Sequence, residues 1–78
     1  MKGMILKLKY FGMIAEALNK ESEELEIEAL IVSDLIDYFK PLLKDVNFKV
    51  AVNQSLVDAN HKLNNNDEVA LLPPFAGG

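Results

Sequence analysis

The sequence has no cysteine, no tryptophan and no arginine. Without thiols it forms no disulfide, offers no thiolate nucleophile and cannot hold a metal through sulfur. Arginine is the usual bidentate reader of phosphates and base edges. Its absence, with eight lysines against twelve acidic residues and a net charge of −4, argues against nucleic acid and leaves a basic partner surface as the better match. The one histidine, His61, stands in a turn-rich stretch with no second ligand nearby, so neither a metal nor a catalytic role is expected there. Long apolar runs are missing too. None approaches the ~20 residues that span a bilayer, and no charged-then-apolar leader opens the chain, so a soluble cytoplasmic protein is expected. Glycine and proline are scarce, four and three in 78 residues. Yet two of each crowd into the closing stretch "PPFAGG".

What remains is enough for one small domain. Half the residues are hydrophobic, and a chain of this length buries roughly 60% of its unfolded surface. "MILKLKYF" alternates, with Leu6, Leu8 and Tyr10 inward and Lys7 and Lys9 outward, which is the period of a half-buried strand. "MIAEALN" offers a short helical turn with Ile14 and Leu18 facing in. "EELEIEA" alternates again, so the two strands should pair antiparallel. The run of Glu21, Glu23, Glu24, Glu26 and Glu28 reads as a solvated strand face.

"IVSDLIDYFKPLL" carries Val32, Leu35, Ile36 and Phe39 at helical spacing, and Asp34 suits the positive end of a first turn. Pro41 predicts a kink or an end near Lys40. "FKVAVN" predicts a third strand with Phe48, Val50 and Val52 inward, followed by a short bridge at Leu56 and Val57. "NNND" predicts a tight turn. "EVALLPP" predicts a last strand, Val69 and Leu71 inward, which Pro73 ends. Two strands, one main helix and further strands make an α+β roll of the β-grasp kind, a mixed sheet with the helix packed across it. The expected division is a domain over residues 1–72 and an extended tail over 73–78.

The stretch "VAVNQSLVDANHKLNNNDEVALLPPFAGG" resembles the small subunits of molybdopterin synthase, the MoaD family of sulfur carriers. The matching residues are Val52, Asn53, Leu63, Asp67, Glu68, Val69, Pro73, Pro74, Gly77 and Gly78, and "YFGMIAEAL" and "VSDLIDYF" fit the same layout. Three positions depart from the pattern: Asn66 where glycine is usual, Glu16 near a common arginine, and Phe75 where valine is frequent after the diproline.

The resemblance implies a chemistry and its partners. An activating enzyme of the ubiquitin-activating kind, using ATP, adenylates the Gly78 carboxylate. Sulfur replaces the adenylate, and the resulting thiocarboxylate serves a pterin precursor inside a larger subunit, in a heterotetramer. The chain itself binds no cofactor or metal. A free carboxylate, with its pKa of about 3.5, is ionised at neutral pH and a poor electrophile, which is why activation is needed. Pro73 and Pro74 would stiffen the root of the tail. Ala76, Gly77 and Gly78 would present a tip slender enough for a narrow channel. By parity, Phe11 and Leu72 share the outward face where the tail departs, with Phe75 just beyond, and the three together suggest a docking surface. Two other functions remain open: a ubiquitin-like modifier joined to target lysines, and the carrier of thiamine biosynthesis, which usually lacks the diproline.

Overall fold

A computed structural model describes residues 3–44 and 46–74 of the chain. The alternation in MILKLKY becomes β1 (Met4–Tyr10), with Leu6, Leu8 and Tyr10 buried and Ile5, Lys7 and Lys9 exposed. Gly12, at φ 58°, turns the chain directly into α1 (Gly12–Leu18), whose Ile14 is wholly buried. Asn19 ends α1 in the left-handed region at φ 60°, its N–H donating back to the Glu16 carbonyl. β2 (Ser22–Ile27) then returns antiparallel to β1, Leu25 opposite Leu6 and Glu24 opposite Lys7.

The main helix is α2 (Val32–Leu43). At its start the Asp34 carboxylate accepts hydrogen bonds from the amides of Leu30 at 2.9 Å and Ile31 at 3.1 Å. These bonds favour the ionised form and hold Asp34 below the usual aspartate range. Val32, Leu35, Phe39 and Leu43 form the buried stripe. The helix does not end near Lys40: it runs through Pro41 to Leu43. Pro41 lies on the solvent face, where it forgoes one backbone bond. One more turn buries Leu43, worth about 1.5–3 kcal/mol. The Lys44 amide, donating to the Lys40 carbonyl at 2.8 Å, closes the helix.

Three strands complete the chain: β3 (Lys49–Val52), β4 (Ser55–Leu56) and β5 (Glu68–Leu72). Asn53 and Gln54, both at positive φ, make a two-residue hairpin loop that pairs Val52 with Ser55 and Ala51 with Leu56. The expected bridge at Leu56 and Val57 therefore falls one residue earlier, because the loop is as short as a hairpin allows. The expected turn in NNND is present, with Asn66 at φ 71° in the left-handed region and the Asp67 amide donating to the Asn64 carbonyl. Strand order is β2-β1-β5-β3-β4. β1 and β5 run parallel, and every other pair is antiparallel. Leu6, Leu8, Val50, Val52, Val69 and Leu71 from the sheet share one core with the α2 stripe. Tyr10 meets Phe39 edge-on at 5.9 Å. This is the β-grasp roll. Among the described residues no helix is long and apolar enough to cross a membrane.

One glutamate departs from the solvated face expected of its run. Glu23 shares the inward parity of Leu25 and Ile27 and is half-buried. Its Oε2 accepts a 2.5 Å bond from the Tyr10 hydroxyl and its Oε1 a 3.1 Å bond from the Lys20 ammonium. Burial, reinforced by that bond to Glu23, pushes the Tyr10 phenol far above its ordinary value. The same bond, with help from Lys20, pulls the Glu23 carboxyl down. A depressed carboxylate stabilises the fold above its unfolded pKa, and that contribution is lost as pH falls through the folded value. A raised phenol stabilises below its unfolded pKa, and that contribution is lost as pH rises through the folded value. Thermal unfolding followed against pH should therefore show a plateau between about pH 5 and pH 9, falling on both sides. Glu23→Gln should make the acid limb shallower, leaving the part Asp34 contributes. Tyr10→Phe should remove the alkaline limb while also weakening the acid one, since it takes away the bond that depresses Glu23.

Candidate functional site

The parallel pairing of β1 with β5 decides what lies at the root of the tail. Its register sets Lys9 beside Ala70 and Tyr10 beside Leu71, so Phe11 and Leu72 leave the sheet together at one end. Both point to the face that α2 does not cover. Phe11 is 45% exposed, and Leu72 is half-buried. They line a shallow groove of about 360 Å³ together with Ala51, Leu56 and Ala70. Lys9 and Glu68 stand at its rim, paired at 3.1 Å. Both charges remain solvated, so the pair adds little stability and marks the polar edge of an apolar floor.

Sequence reasoning missed Leu56 and Ala51. Leu56 is 64% exposed, on a strand only two residues long. A signal was available: once Asn53-Gln54 is read as a two-residue loop, Leu56 must sit opposite Ala51, on the outer face. Pro73 and Pro74 are half-buried and follow the last residue of β5. The expected tail residues Phe75, Ala76, Gly77 and Gly78 lie outside the described residues.

A polar lock holds the start of β5. Asp67 is buried. Its carboxylate accepts from the Asn53 amide nitrogen at 3.0 Å and from the Asn64 backbone amide at 2.8 Å. The Asn53 side-chain oxygen in turn accepts from the Glu68 amide at 3.1 Å. Asn53 and Asp67, distant in sequence, thus fasten the β3–β4 loop to the turn before β5. The arrangement carries no visible chemistry of its own: it fixes where the strand leading to the tail begins. His61 is exposed, and among the described residues no three His, Cys, Asp or Glu side chains gather as a metal site would require.

Comparison with known proteins agrees with this layout. The model of the ThiS family matches residues 8–78. A molybdopterin synthase sulfur carrier subunit of Escherichia coli is 31% identical over 95% of this chain and 100% of its own length. Among solved structures, a candidate molybdopterin converting factor subunit 1 from Pyrococcus furiosus superposes with a TM-score of 0.81 at 27% identity, over 91% of this chain and 98% of that one. A chain from the Helicobacter pylori complex of subunits 1 and 2 of molybdopterin-converting factor superposes with a TM-score of 0.68 at 30% identity, over 96% of this chain and all of that one.

Proposed function

Since the chain belongs to the ThiS family, we propose that it is a sulfur carrier, the small subunit of a molybdopterin synthase. One structural observation supports this reading above the rest. The apolar groove of Phe11 and Leu72 opens at the end of the sheet from which the chain runs toward PPFAGG. A partner seated on that groove would have the tail directed into it. The Helicobacter pylori relative, solved in complex with its subunit 2, supports a larger subunit as that partner.

The reaction follows from the chemistry of a carboxylate. An oxygen of the Gly78 carboxylate attacks the α-phosphorus of ATP in an activating enzyme, and pyrophosphate leaves. Hydrosulfide (HS⁻), supplied by a sulfur donor, then attacks the Gly78 carbonyl, the C–O bond to the adenylate breaks and AMP leaves, so the chain ends in a thiocarboxylate. That sulfur is delivered to a pterin precursor bound by the larger subunit. The chain contributes the reacting carbonyl, a channel-sized approach to it and a docking face. It contributes no phosphate-cradling loop, since its sequence has no glycine-rich segment of that kind.

Intact-mass measurement of the chain from its own cells tests the reading. A free species heavier by one oxygen-to-sulfur exchange is expected. Branched adducts on other proteins, with no thiocarboxylate, would instead establish the modifier. The docking face has its own test. Phe11→Lys and Leu72→Lys should each weaken binding to the larger subunit about tenfold or more, as loss of a buried apolar anchor does. Leu30→Lys, at an exposed position (76%) beside Met4 at the opposite end of β1, serves as control and should leave binding unchanged. Equal affinities across all three variants would retire the groove as the docking face.

A further inference from the structure

Gly12 and Pro73 come together where β1 and β5 part. The last pair in their parallel register is Tyr10 with Leu71. Two residues on along each strand, the chain turns into α1 at Gly12 and toward the tail at Pro73. Each side is anchored: Ile14 in α1 and Leu71 in β5 are fully buried. A Cβ placed on Gly12 would lie 3.1 Å from Cγ of Pro73, tighter than side chains ordinarily pack. The proline ring thus borders the space that any other residue at position 12 would enter. Gly12 also holds a φ of 58°, in the left-handed region that favours glycine. Its two properties are separable, because the backbone demand concerns the start of α1 and the steric one concerns Pro73.

We infer that Gly12 is a positioning residue that acts through Pro73: its bare α-carbon is the seat that sets the direction in which the tail leaves the domain. The inference rests on the carrier reading for its functional consequence. When the domain is docked by its outer face and Gly78 sits in a partner's channel, both ends of PPFAGG are fixed. A displaced root then misplaces the reacting carbonyl. Relieving the contact takes a few tenths of an ångström. Since a 1 Å misplacement can cost about a hundredfold in rate, a shift of that size corresponds to about threefold to tenfold.

The test is a double-mutant cycle of Gly12→Ala, Pro73→Ala and the two combined, read in the complex with the larger subunit. Single-turnover sulfur release from thiocarboxylated Gly78 should slow by about threefold to tenfold in Gly12→Ala at saturating partner, with affinity changed less than about twofold. In the Pro73→Ala background, where the Cγ is gone, Gly12→Ala should slow release by less than about twofold more. The loss of melting temperature caused by a side chain at positive φ should be the same in both backgrounds, which separates folding from positioning. Equal rate losses in both backgrounds, an unchanged rate in Gly12→Ala, or a loss that disappears at saturation would each overturn the inference.

A partner-free measurement keeps this separate from the carrier reading. The native chain should show a nuclear Overhauser contact between the Gly12 α-protons and the Pro73 ring. The Gly77 and Gly78 amide resonances should move in Gly12→Ala and move no further when it is added to Pro73→Ala. A missing contact, or tail resonances indifferent to Gly12, would overturn the seat even if the native chain carries sulfur. A native chain that shows the contact but never takes up sulfur would instead remove the carrier reading.

Discussion

A chain extended by one uncleaved residue beyond Gly78 is expected to take up no sulfur, while it folds and docks on the larger subunit as the native chain does. The reason is electronic. The anionic carboxylate oxygen is nucleophilic enough to attack a phosphorus, whereas a peptide carbonyl oxygen, neutral and conjugated with the nitrogen lone pair, is not. Extension converts the one into the other at the same atom. The new terminal carboxylate lies about 3.3 Å beyond the position the activating site is built to receive. The loss should be at least about a thousandfold, or ~4 kcal/mol in the activation barrier. Gly78→Ala leaves the carboxylate intact and adds only a methyl group, which a close-fitting channel rejects by about tenfold to a hundredfold. Extension abolishing, alanine weakening, and neither moving the melting temperature would together assign the activity to the terminal carbonyl. The readouts are intact mass after incubation with the activating enzyme and ATP, and a pull-down with the larger subunit. An extended chain that remains uncleaved and still gains the oxygen-to-sulfur mass would end the proposal.

The legible part of this fold is the part governed by periodicity. Leu6, Leu8, Tyr10, Val69 and Leu71 alternate because strands present alternate faces, and all five are buried. Val32, Leu35 and Phe39 recur at helical spacing and form the opposing layer. The outward parity of Phe11 and Leu72 also follows from alternation, and the parallel pairing of β1 with β5 then brings the two into one groove.

What stayed hidden depended on competition between terms. Pro41 has a strong local rule against continuing a helix, but burial of Leu43 offsets it. Glu23 looks like its acidic neighbours, yet it sits opposite Leu8 and diagonal to Tyr10 across the β1–β2 pair, where it accepts a hydrogen bond from the Tyr10 hydroxyl. That pairing needs the register, which composition does not contain. Leu56 was obscured by a strand too short to show any period. The contact between Gly12 and Pro73 lies beyond pattern altogether, since it joins two chain segments only after both strands are in place.

Asp67→Ala is expected to be the most damaging substitution of a polar residue, lowering stability by about 3 kcal/mol. Alanine removes the buried acceptor for the Asn53 side-chain amide at 3.0 Å and for the Asn64 backbone amide at 2.8 Å, both donors belonging to exposed residues. Hydrogen bonds to a charged group contribute about 1.5–3 kcal/mol each, and water reaching the two exposed donors recovers part of the loss of both. Small domains hold roughly 5–15 kcal/mol in total, so the loss is a large share. At about 4–8 °C per kcal/mol for a chain of this size, the melting temperature should fall by roughly 12–24 °C.

Asn53→Ala breaks the same ring from the other side, taking with it the acceptor of the Glu68 amide. The double variant should therefore be less unstable than the sum of the singles, by about 1 kcal/mol or more. Asp67→Asn keeps one acceptor oxygen and should fall between native and alanine. The consequence reaches the tail, because this ring sets where β5 begins. A slip of one residue would exchange Leu71 and Leu72 between the core and the outer face and dismantle the groove. Unfolding curves of the four variants beside the native chain, and larger-subunit binding by the folded fraction, check both halves. A melting temperature for Asp67→Ala within about 3 °C of native would show that the ring is incidental to the fold.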